Sequence, residues 1–170
     1  MNFEIREIQK KDKLKISTLL EKYWGSVNII VKGNIYDASM LSGFIAYEKE
    51  NNEILGFLTY IIENDKILLI TLNSLKKGLG CGSALINKIE EYALFNNLKK
   101  IFLVVTNDNM SAIKFYQRIG FKLYALHKNS IVEARKLKPE IPILGLNSIP
   151  IRDEIELEFT LQNDKTNEYI

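Results

Sequence analysis

From Phe3 to Ile8 apolar and charged residues alternate, the pattern of a strand with one wet face. Asp12 to Trp24 changes to helical spacing, with Leu14, Ile16, Leu19, Leu20 and Tyr23 as its apolar side. Gly25 to Ser42 follows no period and predicts loop with a short strand or helical turn. Phe44 to Lys49 and Ile54 to Ile62 predict two strands joined by the turn Glu50-Asn51-Asn52-Glu53. The tight turn Asn64-Asp65 leads into the apolar run Ile67 to Leu75, which completes an antiparallel meander. Ala84 to Leu98 reads as a helix through Leu85, Ile89, Tyr92 and Ala93, and Ile101 to Val105 as a strand buried on both faces. Asn109 is placed to cap a helix with the stripe Ala112, Phe115, Tyr116 and Ile119, and Gly120 suits the position just past its end. Phe121 to Leu126 and Ile155 to Leu161 predict a sixth and a seventh strand.

Pro139, Pro142 and Pro150 all fall between those last two strands. Ser130 to Lys138 suits a short helix ended by Pro139, and Glu140 to Arg152 a long ordered loop. Such a loop shapes a functional site, or covers a sheet edge or a dimer contact. The chain has no internal repeat, and the tail from Asn163 reads as flexible.

The length of 170 residues suits one domain with a sizeable core, spanning 1–170. A net charge of +2, with lysines spread among acids, argues against a nucleic-acid partner. No run is long enough to span a bilayer, and Met1 to Arg6 has no signal-peptide character, so the expected location is cytoplasmic and no membrane partner is expected. The single cysteine excludes an internal disulfide framework.

Candidate chemistry concentrates in Lys77-Gly78-Leu79-Gly80-Cys81-Gly82-Ser83, between a predicted buried strand and a predicted helix. Glycines on alternate positions let the backbone approach closely, so successive N–H groups can face one concavity. The helix adds its unpaired N-terminal donors and the positive end of its dipole, and Lys77 adds a charge. This composition suits the phosphates of a cofactor. A P-loop is excluded because no Lys-Ser or Lys-Thr pair closes the loop. A Rossmann fingerprint is excluded because Ser83 or Leu85 stands where its third glycine is required.

The loop resembles the coenzyme A pyrophosphate loop of the GNAT N-acetyltransferase superfamily, Gln/Arg-x-x-Gly-x-Gly/Ala, with Lys77 in place of the arginine or glutamine. A second motif of that family, Asn-x-x-Ala-x-x-Phe/Leu-Tyr-x-x-x-Gly-Phe, is matched by Asn109, Ala112, Phe115, Tyr116, Gly120 and Phe121. The resemblance implies a mixed α/β (α+β) fold with a central, mostly antiparallel seven-stranded sheet, one splayed parallel strand pair, and helices on both faces. It implies acetyl-CoA as acyl donor, bound by Lys77, Gly78, Leu79, Gly80, Cys81, Gly82 and Ser83, by the backbone of Leu72, Asn73 and Ser74, and by Asn109, Ala112 and Phe115. It implies Tyr116 as the catalytic acid that protonates the departing thiolate.

The expected activity is transfer of an acetyl group to the primary amine of a small molecule. Its alternatives are acetylation of a protein N-terminus or lysine, and a non-catalytic acyl-CoA-binding module. The expected partners are acetyl-CoA and an amine, with the chain a monomer or homodimer. The strand ahead of the glycine loop carries no carboxylate, which leaves Glu63, Asp37, Asp153 and Glu154 as candidate general bases. Trp24, Tyr36 and Tyr47 could line an acceptor pocket, and Arg152, Asp153 and Glu154 could give it charges of both signs. Cys81 and His127 lack the neighbours that nucleophilic or metal chemistry requires, and no metal site is expected.

Overall fold

The computed structural model describes residues 3–76 and 78–161. The chain forms β1 (Phe3–Glu7), α1 (Lys13–Trp24), β2 (Asn28–Val31), β3 (Asn34–Asp37), β4 (Ser42–Glu48), β5 (Ile54–Glu63), β6 (Lys66–Ser74), α2 (Cys81–Phe95), β7 (Lys100–Thr106), α3 (Met110–Arg118), β8 (Lys122–His127), α4 (Ser130–Leu137) and β9 (Glu154–Thr160). Seven strands make one sheet in the order β1-β4-β5-β6-β7-β9-β8, and only β6 and β7 run parallel. The expected fold class is therefore the observed one. The predicted tail from Asn163 lies outside the described residues.

Both faces of the sheet are covered. On one face α2 and α3 bury Leu85, Ile86, Ile89, Ile113 and Tyr116 against Leu58, Ile67, Leu103 and Leu157. On the other, α1 and the β2–β3 hairpin bury Ile16, Leu20, Ile29 and Val31 against Phe57, Leu68, Ile70 and Phe102. Truncating Leu85, which is fully buried, to alanine should cost about 2–5 kcal/mol, seen as a lower urea midpoint with an unchanged slope.

Three expectations need correction. Leu14 is 80% exposed and Tyr23 48% exposed, so neither belongs to the apolar side of α1. The buried stripe runs through Ile16 and Leu20, four residues apart; Leu14 lies two residues from Ile16, about 200° around the helix. Helix α2 begins at Cys81, three residues earlier than its apolar period indicates, so the last three residues of the glycine loop are helical. The segment 25–42, expected as loop with a short strand or helical turn, holds a hairpin of two strands. Its two-residue turn, Lys32-Gly33, has both φ angles positive, at 48° and 78°, which suits the twist of a tight hairpin.

The position of the site follows from one irregularity. Thr59 pairs with Thr71 and Tyr60 with Leu69, so Ile70 is an extra residue in β6. A bulge bends its strand and increases the local twist. Beside it, the β6–β7 ladder covers only Lys66–Leu68 against Lys100–Phe102, whereas β5 continues to pair with β6 as far as Ser74. Beyond Leu68 the two parallel strands diverge, and the backbone of Leu69 to Ser74 keeps one edge free of β7.

Candidate active site

Two cavities meet at this divergence. The larger, about 710 Å³, is a groove over the start of α2, lined by Leu72, Ser74, Gly78, Gly80, Gly82, Ser83, Asn109, Ser111, Ala112, Phe115, Tyr116 and Arg118. The smaller, about 190 Å³, lies between the diverging strands and the β2–β3 hairpin. Leu72, Asn109, Ala112 and Tyr116 line both. Most of the residues singled out in the two sequence motifs are thus brought to one groove although about 30 residues separate them.

The glycines do what the loop requires. Gly78 and Gly80 have φ of 81° and 76°, in the left-handed region that disfavours a side chain. Gly80 is the N-cap of α2 and no side chain caps that end, so the first N–H groups of the helix remain available. Ser74 and Phe115 flank Gly82, and a Cβ there would lie 3.5 Å from the Phe115 ring and 3.9 Å from Ser74 Cβ. A helix start with free donors, a cradle of glycine backbone and Arg118 at the wall fit a polyanion such as the pyrophosphate of coenzyme A. Lys77 lies outside the described residues. The Cys81 side chain is fully buried and burial raises its pKa, so only its backbone can serve the loop. Leu79 is 44% exposed and is not among the groove residues; Asn73 likewise lines neither cavity, but its Oδ1 accepts from Trp24 Nε1 at 2.6 Å, tying the end of α1 to the end of β6.

Asn109 caps α3 as expected: its Oδ1 accepts from the Ala112 N–H at 3.1 Å and from Ser111 Oγ at 3.0 Å. The cap fixes the first turn of α3 and therefore the Tyr116 ring, which packs edge-on against Phe115 and Phe121 at centroid distances of 5.1 and 5.5 Å. Tyr116 is 9% exposed, and its hydroxyl has no hydrogen-bond partner among the described residues. Buried polar groups are normally paired, so a phenol facing two cavities without a partner is informative. Burial raises its pKa, which keeps it protonated across the neutral range.

The four candidate bases separate cleanly. Glu154 lines the smaller cavity and is 4% exposed. Its Oε1 has one long contact, 3.4 Å, to the Lys32 N–H, and burial raises its pKa. Asp153 is turned away: Arg152 holds it at 2.8 Å and the Asn129 N–H at 2.7 Å, and the Arg152 hydrogen bond lowers its pKa. Asp37 accepts from Ser39 in the turn after β3. Glu63 belongs to a different cavity, with Lys66 and Tyr124. The expected mixture of charges is therefore not found, since only Glu154 of the Arg152–Glu154 triplet lines the cavity. Of the three aromatic candidates, Trp24 lines it and Tyr36 and Tyr47 do not. Tyr47 instead donates to Glu4 at 2.7 Å.

Sequence reasoning missed Ile29, Ile30 and Val31, which wall the cavity from the hairpin, and Ile131 of α4. Three consecutive apolar residues ahead of Lys32-Gly33 were the available signal. The proline segment is folded, but none of residues 139–152 lines either cavity, so the expected loop over the site is not found there. Arg135 donates to the carbonyls of Ile141, Pro142 and Ile151 at 3.1, 2.6 and 2.6 Å. Asp108 Oδ2 accepts from the Leu146 N–H at 2.8 Å, next to the Asn109 cap. His127 Nε2 lies 2.7 Å from Glu156 Oε2, within hydrogen-bond distance.

The comparisons with known proteins agree with this geometry. Residues 13–121 match the Acetyltransferase (GNAT) family. The chain is 42% identical over 147 residues to the uncharacterized protein YxbD of Bacillus subtilis (strain 168), which covers 86% of this chain and 92% of that protein. The fold is similar to that of an IAA acetyltransferase from Bacillus cereus ATCC 14579, with a TM-score of 0.68, 17% identity, and 94% of this chain and 99% of that one covered. It is similar also to a Bacillus subtilis acetyltransferase in complex with CoA, with a TM-score of 0.64, 15% identity, and coverage of 95% and 99%. Acetyl-CoA is the acyl donor consistent with this family. Residues 13–121, which hold the glycine loop and the second motif, place the chain in the GNAT acetyltransferase family.

Proposed function

We propose that this chain transfers the acetyl group of acetyl-CoA to the primary amine of a small molecule. The observation that carries the reading is Tyr116, a buried phenol without a hydrogen-bond partner among the described residues, at the junction of an anion-suited groove and a small cavity. The donor's phosphates belong on the backbone of Gly78 to Ser83, beside Arg118, and its pantetheine arm along the free edge of Leu72 to Ser74. Asn109, Ala112 and Phe115 wall the same groove. When bound, acetyl-CoA supplies a thioester carbonyl open to nucleophilic attack. Tyr116 holds a proton at Oη for the departing sulfur, and the free N–H groups of β6 are placed to stabilise a developing oxyanion. The cavity of about 190 Å³, closed by the hairpin and α4, suits a small acceptor better than a polypeptide segment.

Release of CoA, followed with a thiol reagent while acetyl-CoA is mixed with small amines, amino acids and peptides, tests the reading. Turnover with small primary amines is the expected result. Turnover with peptides alone, or tight CoA binding with no release for any amine, overturns it. The Arg135 clamp offers a second check. Arg135→Met removes three hydrogen bonds that tie α4, whose Ile131 walls the smaller cavity, to residues 141–151, and should raise the acceptor KM several-fold while CoA affinity stays within about twofold.

A further inference from the structure

We infer that the acceptor carries a single positive charge on an apolar body, and that Glu154 is the side chain that receives its ammonium. This rests on the acetyl-transfer reading above and narrows it to a substrate class.

The inference starts from β9. Glu154, Glu156 and Glu158 alternate along one strand and so share a face of it. Glu156 is paired with Lys32 Nζ at 2.9 Å and with His127 Nε2 at 2.7 Å, and Glu158 with Lys100 Nζ at 2.9 Å. Glu154 is buried like Glu156, yet no side-chain cation among the described residues lies within ion-pair distance of it. A carboxylate can accept several hydrogen bonds; Glu154 receives one long one from the Lys32 N–H and has the buried Ser130 hydroxyl beside it, both neutral donors. Buried carboxylates are ordinarily paired, so this one is left to pair with what enters the cavity it lines.

The rest of the cavity fixes the body of the acceptor. Trp24, Ile29, Val31, Leu103, Val105 and Ile131 form its apolar wall. No Lys, Arg or His side chain is among the described residues lining it. An acceptor with a carboxylate or phosphate would lose hydration there without gaining a counter-ion, and a second ammonium would find no second carboxylate. The neighbouring charges are already committed, Arg152 to Asp153 and Lys32 to Glu156. Amino acids and polyamines are therefore disfavoured relative to alkyl or aryl-alkyl monoamines.

The protons balance on two side chains of this chain. Glu154 takes one proton from the entering ammonium, and the freed lone pair forms the N–C bond to the acetyl carbon as the C–S bond breaks. Tyr116 gives its proton to the leaving sulfur and recovers one from the nitrogen. One proton then leaves Glu154 for solvent. The pKa of Glu154, raised by burial, strengthens it as the acceptor of the first proton.

Calorimetry on the CoA-saturated protein tests this without relying on turnover. The probes are a short series of alkyl monoamines, phenethylamine, its alcohol analogue phenethyl alcohol, phenylalanine, and putrescine. Phenethylamine or another monoamine of the series should bind at least about tenfold more tightly than the alcohol, phenylalanine and putrescine. In Glu154→Gln, which keeps the side-chain shape, the preference for amine over alcohol should vanish while CoA affinity is unchanged. The wild-type comparison stands alone if that variant fails to fold. Equal binding of phenylalanine or putrescine, no binding of any monoamine, or an amine preference that survives in Glu154→Gln overturns the assignment. Acetylation confined to diamines or amino acids would sink this inference and leave acetyl transfer intact; monoamine binding with no acetylation of any amine would do the reverse.

Discussion

Replacing Tyr116 with phenylalanine should lower kcat by about 10²–10⁴-fold and leave CoA affinity within a few-fold. The substitution removes one oxygen. The ring remains in its contacts with Phe115 and Phe121, and because the hydroxyl has no partner among the described residues, no donor or acceptor among them is orphaned. Stability should therefore be unchanged or slightly higher, which separates a chemical role from a packing role. Burial raises the phenol's pKa and so makes Tyr116 a weaker acid than free tyrosine. Its proton can move to sulfur only while the nitrogen replaces it, so the loss should fall on kcat and kcat/KM together. Tyr116 should add no ionisation to the rate profile near neutrality, since it stays protonated there. Wild-type turnover by the variant with its best amine would assign Tyr116 to the core alone.

Gly82→Val should weaken CoA binding by about 10–100-fold for each phosphate hydrogen bond it prevents. Gly82 is the informative glycine because its backbone is not in the left-handed region, in contrast with Gly80 at a φ of 76°. A Cβ at 82 makes ordinary contact with Phe115, at 3.5 Å, so the variant should fold. Its methyl groups would stand in the groove between Ser74 and Phe115, where the backbone must approach the phosphates. Gly82→Ala should lie between valine and wild type, and thermal unfolding without ligand should be nearly unchanged for both. Unaltered CoA affinity in a folded Gly82→Val protein would remove the phosphates from this loop.

Seven main-sheet strands and the helices were legible from the chain because each carries its own period: alternation in β1, unbroken apolar runs in β6 and β7, a helical stripe through Leu85 and Ile89. The glycine loop and the Asn109–Phe121 motif were legible because backbone access and helix capping are local requirements that name particular residue types. Leu14 and the β2–β3 hairpin were misread for a related reason: a four-residue strand carries too short a pattern, and one apolar residue on a helix says nothing of which face meets the core.

The sequence by itself determined the family and the two motifs that line the larger groove, Tyr116 among them, because these depend on residue types at fixed short spacings. It did not single out Glu154 among four acidic candidates. Two of the four have local partners, Arg152 beside Asp153 and Ser39 beside Asp37, but what sets Glu154 apart is the surroundings the fold delivers to it. Arg152 neutralises Asp153, Lys32 neutralises Glu156, and the bulge at Ile70 opens β6 from β7 so that Glu154 meets a cavity and no cation. Lys32 reaches Glu154 and Glu156 from more than 100 residues away, and only the tertiary structure brings those segments together.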